Sequence, residues 1–331
     1  MHTVTGQAQQ HIACLHCLGQ QIAALYRANR EPGQIVIAIP VHARHFGGFA
    51  ADQGGARAFA ARGDAFDHRG GLIDVQLAGR EAVPMAEAAR MVQDMGARII
   101  DINMGCPAKK VTQGLSGSAL MKTPDHALRL IEAVVGAVDI PVTLKTRLGW
   151  DDNLLNAPDI ARRAQDAGIK MVTIHGRTRC QFYKGDADWA AISGVKQAVD
   201  IPVIANGDIT NSARASCALE QSGADGVMIG RGAQGQPWIL AQIAHDLYGT
   251  PAPVIPVGRA FADMVQGHYA EIIAFYGADM ALRVARKHLG WYMDYCQTPP
   301  DLRRAVLTAP DTAKVQTLLK DACFASQALA A

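Results

Sequence analysis

From residue 72 onward, short apolar, β-branched runs alternate with longer stretches whose apolar positions recur every three or four residues. The short runs lie at 72–76, 98–102, 141–145, 171–175, 202–205 and 225–229 and read as strands. The longer ones lie near 84–95, 124–137, 157–167, 188–199, 211–222 and 235–247 and read as helices, with Thr123-Pro124-Asp125 and Asn211-Ser212 as start signals. Strict strand-helix alternation predicts a parallel sheet. Six such units across 72–232 take about 27 residues each, so a closed eight-strand barrel needs about 55 more residues upstream, which 17–71 can hold. Each run ends in polar chemistry: Gln76, Asp101 with Asn103, Lys145, His175, Asn206-Gly207-Asp208, and Gly230-Arg231. An open doubly wound sheet gathers its ligand groups at one switch point, whereas six contributing strand ends point to the rim of a (β/α)8 TIM barrel. Beyond residue 248 the pattern is helical alone, near 257–275, 279–295, 300–308 and 311–329, after a Pro-rich linker from Gly249 to Pro256. A small helical bundle follows. The expected organisation is therefore an N-terminal segment 1–70 standing in the place of the first two barrel strands, a barrel over 71–248 and a helical domain over 249–331. Within the first segment only 34–41 reads as a strand.

Composition narrows the class without choosing a partner. The 331 residues carry a formal charge of +2, and a nearly neutral chain can still concentrate basic residues on one face. No apolar run approaches the roughly 20 residues of a membrane helix, and the first twenty residues lack a leader pattern. A cytoplasmic monomer without membrane attachment is expected. Seven scattered cysteines predict reduced thiols rather than a disulfide framework. Cys14 and Cys17 lack a second ligand pair at zinc-like spacing, and no metal is expected.

The rim residues carry the chemistry. Asn206-Gly207-Asp208 and Gly230-Arg231 end the two strands after which such barrels often hold a phosphate on backbone amides. Lys145 closes a strand over the barrel mouth, where an ammonium calls for an anion. A reduced flavin, negative near N1 and the C2 carbonyl, meets that need; a Schiff-base lysine, or pairing with Asp101 or Asp208, are the alternatives. His175 reads as a hydrogen-bond donor to flavin or phosphate, or else as a core histidine. Cys106, in Asn103-Met104-Gly105-Cys106-Pro107, follows a strand directly. It has no evident histidine partner for nucleophilic work, while a proton donor needs only reach and a suitable pKa. In the helical segment Arg283, Arg286 and Lys287 share one face.

Together these motifs resemble a bacterial tRNA-dihydrouridine synthase of the B type: Asn-Met-Gly-Cys-Pro-Ala-Lys-Lys from Asn103, Thr-Ile-His-Gly-Arg-Thr-Arg from Thr173, Val-Ile-Ala-Asn-Gly-Asp-Ile from Val203, and Met-Ile-Gly-Arg-Gly-Ala-Gln-Gly from Met228. The resemblance spans about residues 71 to 300. It implies bound FMN, NADPH as reductant, and tRNA as the partner whose uridine is reduced to 5,6-dihydrouridine. Hydride would pass from flavin N5 to C6, and Cys106 would protonate C5. By matching positions, Gln76, Lys145, His175, Asn206, Gly207, Asp208, Gly230 and Arg231 would hold the cofactor. Asn103, Lys109, Lys110, Arg177, Arg179, Arg283, Arg286 and Lys287 would meet the substrate, with Trp291-Tyr292 offering a stacking surface and the target uridine leaving its stack to reach the flavin.

Members of that family begin with a strand ending Ala-Pro-Met and a Gly-x-Thr-Asp turn, which this chain lacks. The Ala/Gly/Arg-rich, histidine-rich text before Gly70 reads as translated out of frame. Two further readings remain open: a flavin-dependent reductase of free pyrimidines, and an RNA-binding or regulatory relative without flavin.

Overall fold

The computed structural model of the chain describes residues 35–38, 48–50, 57–59 and 74–324. The Cys14–Cys17 pair and most of 1–70, including the inference about reading frame, lie outside the described residues. Strands β1 (Ile35–Ala38), β2 (Gly48–Ala50) and β3 (Arg57–Phe59) precede β4 (Asp74–Ala78), β5 (Ile99–Asn103), β6 (Val142–Arg147), β7 (Val172–His175), β8 (Val203–Asn206) and β9 (Gly226–Ile229). Each strand from β4 to β9 is parallel to the next. These six strands coincide with the six apolar runs to within two residues at each end. Residues of β5, β8 and β9 are almost wholly buried, as expected of parallel strands covered by helices.

The sheet order is β1-β9-β8-β7-β6-β5-β4-β3-β2. β1 pairs in parallel with β9, with Ile35 opposite Gly226, so one of the two missing barrel strands comes from the 34–41 run. The other place departs from expectation: β2 and β3 form an antiparallel ribbon along β4. Only six residues separate β2 from β3, too few for a parallel crossover, so those two strands pair antiparallel. The described strands thus give an α/β barrel of TIM type with seven parallel strands and an antiparallel ribbon.

Helices follow the strands as their periodicity requires. In α3 (Pro124–Val135), counted after α1 (Ala82–Asp94) and α2 (Lys109–Thr112), the buried Ala127, Leu130, Ile131 and Val134 lie on one stripe. Then come α4 (Ala157–Asp166), α5 (Ser193–Ala198) and α6 (Ser212–Ser222). Asn211 caps α6, its side chain accepting the Arg214 amide at 2.9 Å. Thr123 makes no such bond to α3, where Pro124 and the acidic Asp125 in the first turn serve as the start signal.

The chain divides into two compact units after Arg231. The expected division at 248/249 differs from this by one helix, α7 (Ile239–Tyr248), which clusters with α8 (Gly258–Tyr276), α9 (Ala278–Tyr295), α10 (Pro300–Thr308) and α11 (Thr312–Phe324). The physical reason is Trp238. Its ring packs 6.0 Å from Phe261 and 5.1 Å from Tyr295 in the core of the helical unit.

Candidate active site

Register sets the first layer of the barrel mouth, because Gln76, Asp101 and Thr143 stand opposite one another on β4, β5 and β6. Asp101 is buried and accepts on both oxygens, from Thr143 Oγ1 at 2.8 Å and Gln76 Nε2 at 2.6 Å. Gln76 Oε1 then accepts from Asn103 Nδ2 at 2.7 Å, and Asn103 Oδ1 accepts the backbone amides of Gly105 at 3.1 Å and Cys106 at 3.0 Å. Only one orientation of the two amides satisfies this chain, since a carboxylate closes one end and N–H donors close the other. On its far side the Cys106 carbonyl accepts Ser118 N at 3.1 Å and Ser118 Oγ at 2.9 Å. The peptide of Cys106 is therefore held from both ends while its half-buried thiol stays free. Gly117, at φ +61, lets this turn close; a Cβ there would lie 2.8 Å from the Cys106 carbonyl.

Lys145 stands opposite Asn103 on β6. Its ammonium has no hydrogen-bond or ion-pair partner among the described residues, and its charged neighbours are Asp101, Arg147 and Cys106. Burial lowers its pKa to about 8, with Arg147 adding to the effect and Asp101 and Cys106 opposing it. His175, opposite Arg147, is pushed down to about 2 by burial and by Lys145, Arg147, Arg177 and Arg231. It is neutral across the physiological range, so it donates or accepts hydrogen bonds without carrying charge. Arg147 itself is buried and donates from Nε to Gly105 O at 2.8 Å and from Nη1 to Thr178 O at 2.9 Å and Phe182 O at 3.0 Å. One guanidinium thus ties the cysteine loop to the loop after β7.

The ends of β8 and β9 present backbone rather than side chains. Asn206 is buried and spends its Nδ2 on Met228 O at 2.8 Å. The Asp208 carboxylate is taken up by Arg177, by the Ala187 amide at 2.8 Å and by Arg231 at 3.4 Å. Burial alone would raise its pKa, but the Arg177 and Ala187 hydrogen bonds and the charges of Arg177 and Arg231 hold it below the usual carboxylate value. What remains is a set of amides: those of Gly207, Asp208, Gly230 and Arg231 meet no acceptor among the described residues. Gly207 takes φ +117, where a Cβ would come within 2.8 Å of Ala187 and 3.1 Å of the His175 ring, and a Cβ on Gly230 would meet open space.

Several residues expected at the substrate are placed otherwise. Arg177 is 2% exposed and fully committed, to Asp208, to Lys184 O at 3.2 Å, to Gly185 O at 2.6 Å and to His175 Nε2 at 3.2 Å. It therefore braces the rim from below and presents no free donor to a phosphate. Asn103 likewise spends its carbonyl oxygen on the cysteine loop. Arg179 is half-buried against Trp150, 4.8 Å from the ring, with Lys122 4.9 Å from the same ring. Lys109 is exposed on α2, and the side chain of Lys110 lies outside the described residues. In the helical unit Arg283, Arg286 and Lys287 are all exposed on α9, opposite its buried Ala281, Val284, Ala285 and His288. Tyr292 is not a stacking surface: it is buried, with its hydroxyl 3.0 Å from His268 Nδ1. Sequence reasoning weighed Arg147 only as a cation beside Lys145 and passed over Thr143; their spacing of two residues on either side of Lys145 along β6 was the available signal for a shared face.

The signature of the family described as dihydrouridine synthase (Dus) matches residues 58–328. A probable tRNA-dihydrouridine synthase of Rhodobacter capsulatus is 64% identical over 248 residues, covering 75% of this chain and 76% of its own. The tRNA-dihydrouridine synthases B of Xanthomonas campestris and Vibrio vulnificus are 50% and 49% identical over 256 and 247 residues, covering 76% and 74% of this chain and 76% of each relative. With its cysteine loop, strand-end lysine and paired glycine turns arranged around one barrel mouth, the chain belongs to the dihydrouridine synthase family.

Proposed function

We propose that this protein reduces a uridine of tRNA to 5,6-dihydrouridine, with FMN held in the barrel mouth and NADPH as the reductant. The observation that carries the reading is the clamped Cys106 loop beside an unpartnered, desolvated Lys145. The residues present fit a flavin phosphate: four free backbone amides at the ends of β8 and β9, with Gly207 and Gly230 allowing close approach, form an anion cradle. They also fit an anionic ring, because Lys145, Arg147, Arg177 and Arg231 outnumber the carboxylates of Asp101 and Asp208 around the mouth. Bound FMN would supply the hydride delivered to C6 of the uracil.

The chain's own residues would do the rest. Lys145 offsets negative charge on the flavin ring, Gln76 contributes its remaining N–H, and neutral His175 hydrogen-bonds without altering the charge. Cys106 gives its Sγ proton to C5, completing addition of one hydride and one proton across the C5–C6 double bond, and the resulting thiolate regains its proton from solvent. The Asn103 and Ser118 clamps fix where the thiol stands, which is what general-acid catalysis requires of geometry. The exposed α9 face Arg283, Arg286 and Lys287, together with Lys109, supplies phosphate contacts. The test is to purify the protein, read its visible absorbance for flavin, and assay dihydrouridine on tRNA lacking the modification. Flavin without activity on tRNA would favour a free-pyrimidine reductase, and absence of flavin a binding relative.

A further inference from the structure

The loop from Thr178 to Gly185, after β7, has no part in the chemistry above, yet its backbone is closely braced. Two buried arginines hold its backbone from beneath: Arg147 through the carbonyls of Thr178 and Phe182, and Arg177 through those of Lys184 and Gly185. Thr178 and Gln181 exchange a further pair of bonds, the Thr178 amide to Gln181 Oε1 at 2.6 Å and the Gln181 amide to Thr178 Oγ1 at 3.2 Å. Above this bracing two aromatic rings face water, Phe182 at 41% and Tyr183 at 45% exposure. Phe182 also takes φ +59, a left-handed conformation in which a bulky L side chain is disfavoured. Folding gains little from an exposed ring on a strained backbone, and such strain persists where a site uses it.

The surroundings indicate the partner. Tyr183 meets Phe182 edge-on, centroids 4.7 Å apart, and its ring lies 5.0 Å from the guanidinium of Arg231 and 5.6 Å from that of Arg147. Arg231 is 58% exposed at its side chain, and Lys184 is exposed in the same loop. No cation–π contact covers Phe182 among the described residues. An open ring face next to exposed cations suits a planar base that carries a phosphate. We propose that Phe182 and Tyr183 form a rigid stacking platform for an unpaired RNA base neighbouring the reduced uridine, with Arg231 and Lys184 meeting the adjoining phosphates. This rests on the reading of tRNA as substrate.

The full-length holoprotein and a fluorescent, unmodified tRNA transcript test it by anisotropy titration. Phe182→Gly removes the ring while suiting the positive φ, so it should melt no lower than wild type yet bind tRNA about tenfold more weakly. Phe182→Trp keeps a ring, should bind within about twofold of wild type, and should show added indole fluorescence that is quenched by tRNA. If wild type binds and Phe182→Gly binds equally well, the platform is wrong while the substrate reading stands. A lower melting temperature for Phe182→Gly makes the ring structural and also overturns the platform. If wild type itself does not bind tRNA, the substrate reading fails and the platform with it.

Discussion

In the proposed reaction Cys106 acts through position, and removing its thiol leaves the cradle residues in place. Cys106→Ala should keep flavin absorbance while dihydrouridine formation falls by about 10²-fold or more, the usual contribution of a positioned acid; turnover near wild type would remove the thiol from this role. Lys145 makes a different prediction, through pH. Its pKa in the free protein is about 8, so the ammonium is present below that value and lost above it. An anion bound beside it raises the pKa, so binding takes up a proton. Affinity for reduced FMN, whose ring is the anion, should be greatest below pH 8 and decline as pH rises through that value, and Lys145→Ala should flatten this arm of the profile. Anaerobic equilibrium dialysis of reduced FMN at pH 7 and pH 9 measures both.

At the scale of elements, β4, β5 and β6 function as one device because their register aligns Gln76, Asp101 and Thr143 beneath the cysteine loop. Polarity runs from a buried carboxylate through two side-chain amides to two backbone N–H groups. Asn103→Ala strands these donors and should cost about 1–2 kcal/mol of stability, with slower product formation and flavin retained. Asn103→Asp still accepts from both loop amides but turns an oxygen toward Gln76, so it should recover part of the loss. Equal defects in the two variants would mean that the loop does not depend on the clamp. Denaturant melts and dihydrouridine assays separate stability from turnover. Short apolar, β-branched runs made these strands legible in the sequence; the hydrogen-bond chain across them was not, since it depends on which residues fall opposite one another.

For the whole molecule, the proposed function assigns the chemistry to the barrel rim and the grip on tRNA to the helical unit. The α9 face Arg283, Arg286 and Lys287 is exposed and unspent on the core. Replacing all three with Ala should weaken tRNA binding at low salt and reduce the slope of log affinity against log salt by about 2 to 3, with flavin content unchanged. An unaltered slope would make this an ordinary solvated face. One helix of this unit, α7, belongs to it rather than to the barrel because Trp238 carries its anchor into the helical core, a choice that no local periodicity expresses.

Strand and helix positions, the run of six parallel strands from β4 to β9, the cysteine after β5 and the glycine turns after β8 and β9 were determined by the sequence alone. Each is a local consequence of side-chain period or backbone freedom, readable within a window of a few residues. Tertiary structure decided what each rim group has left to offer. Arg177 and Asp208 consume one another, Asn103 spends itself on the Cys106 loop, and Lys145 keeps a free ammonium with a lowered pKa. Burial and pairing are properties of residues brought together from distant strands, and an arginine in a basic motif reads the same whether it ends in water or beneath a loop.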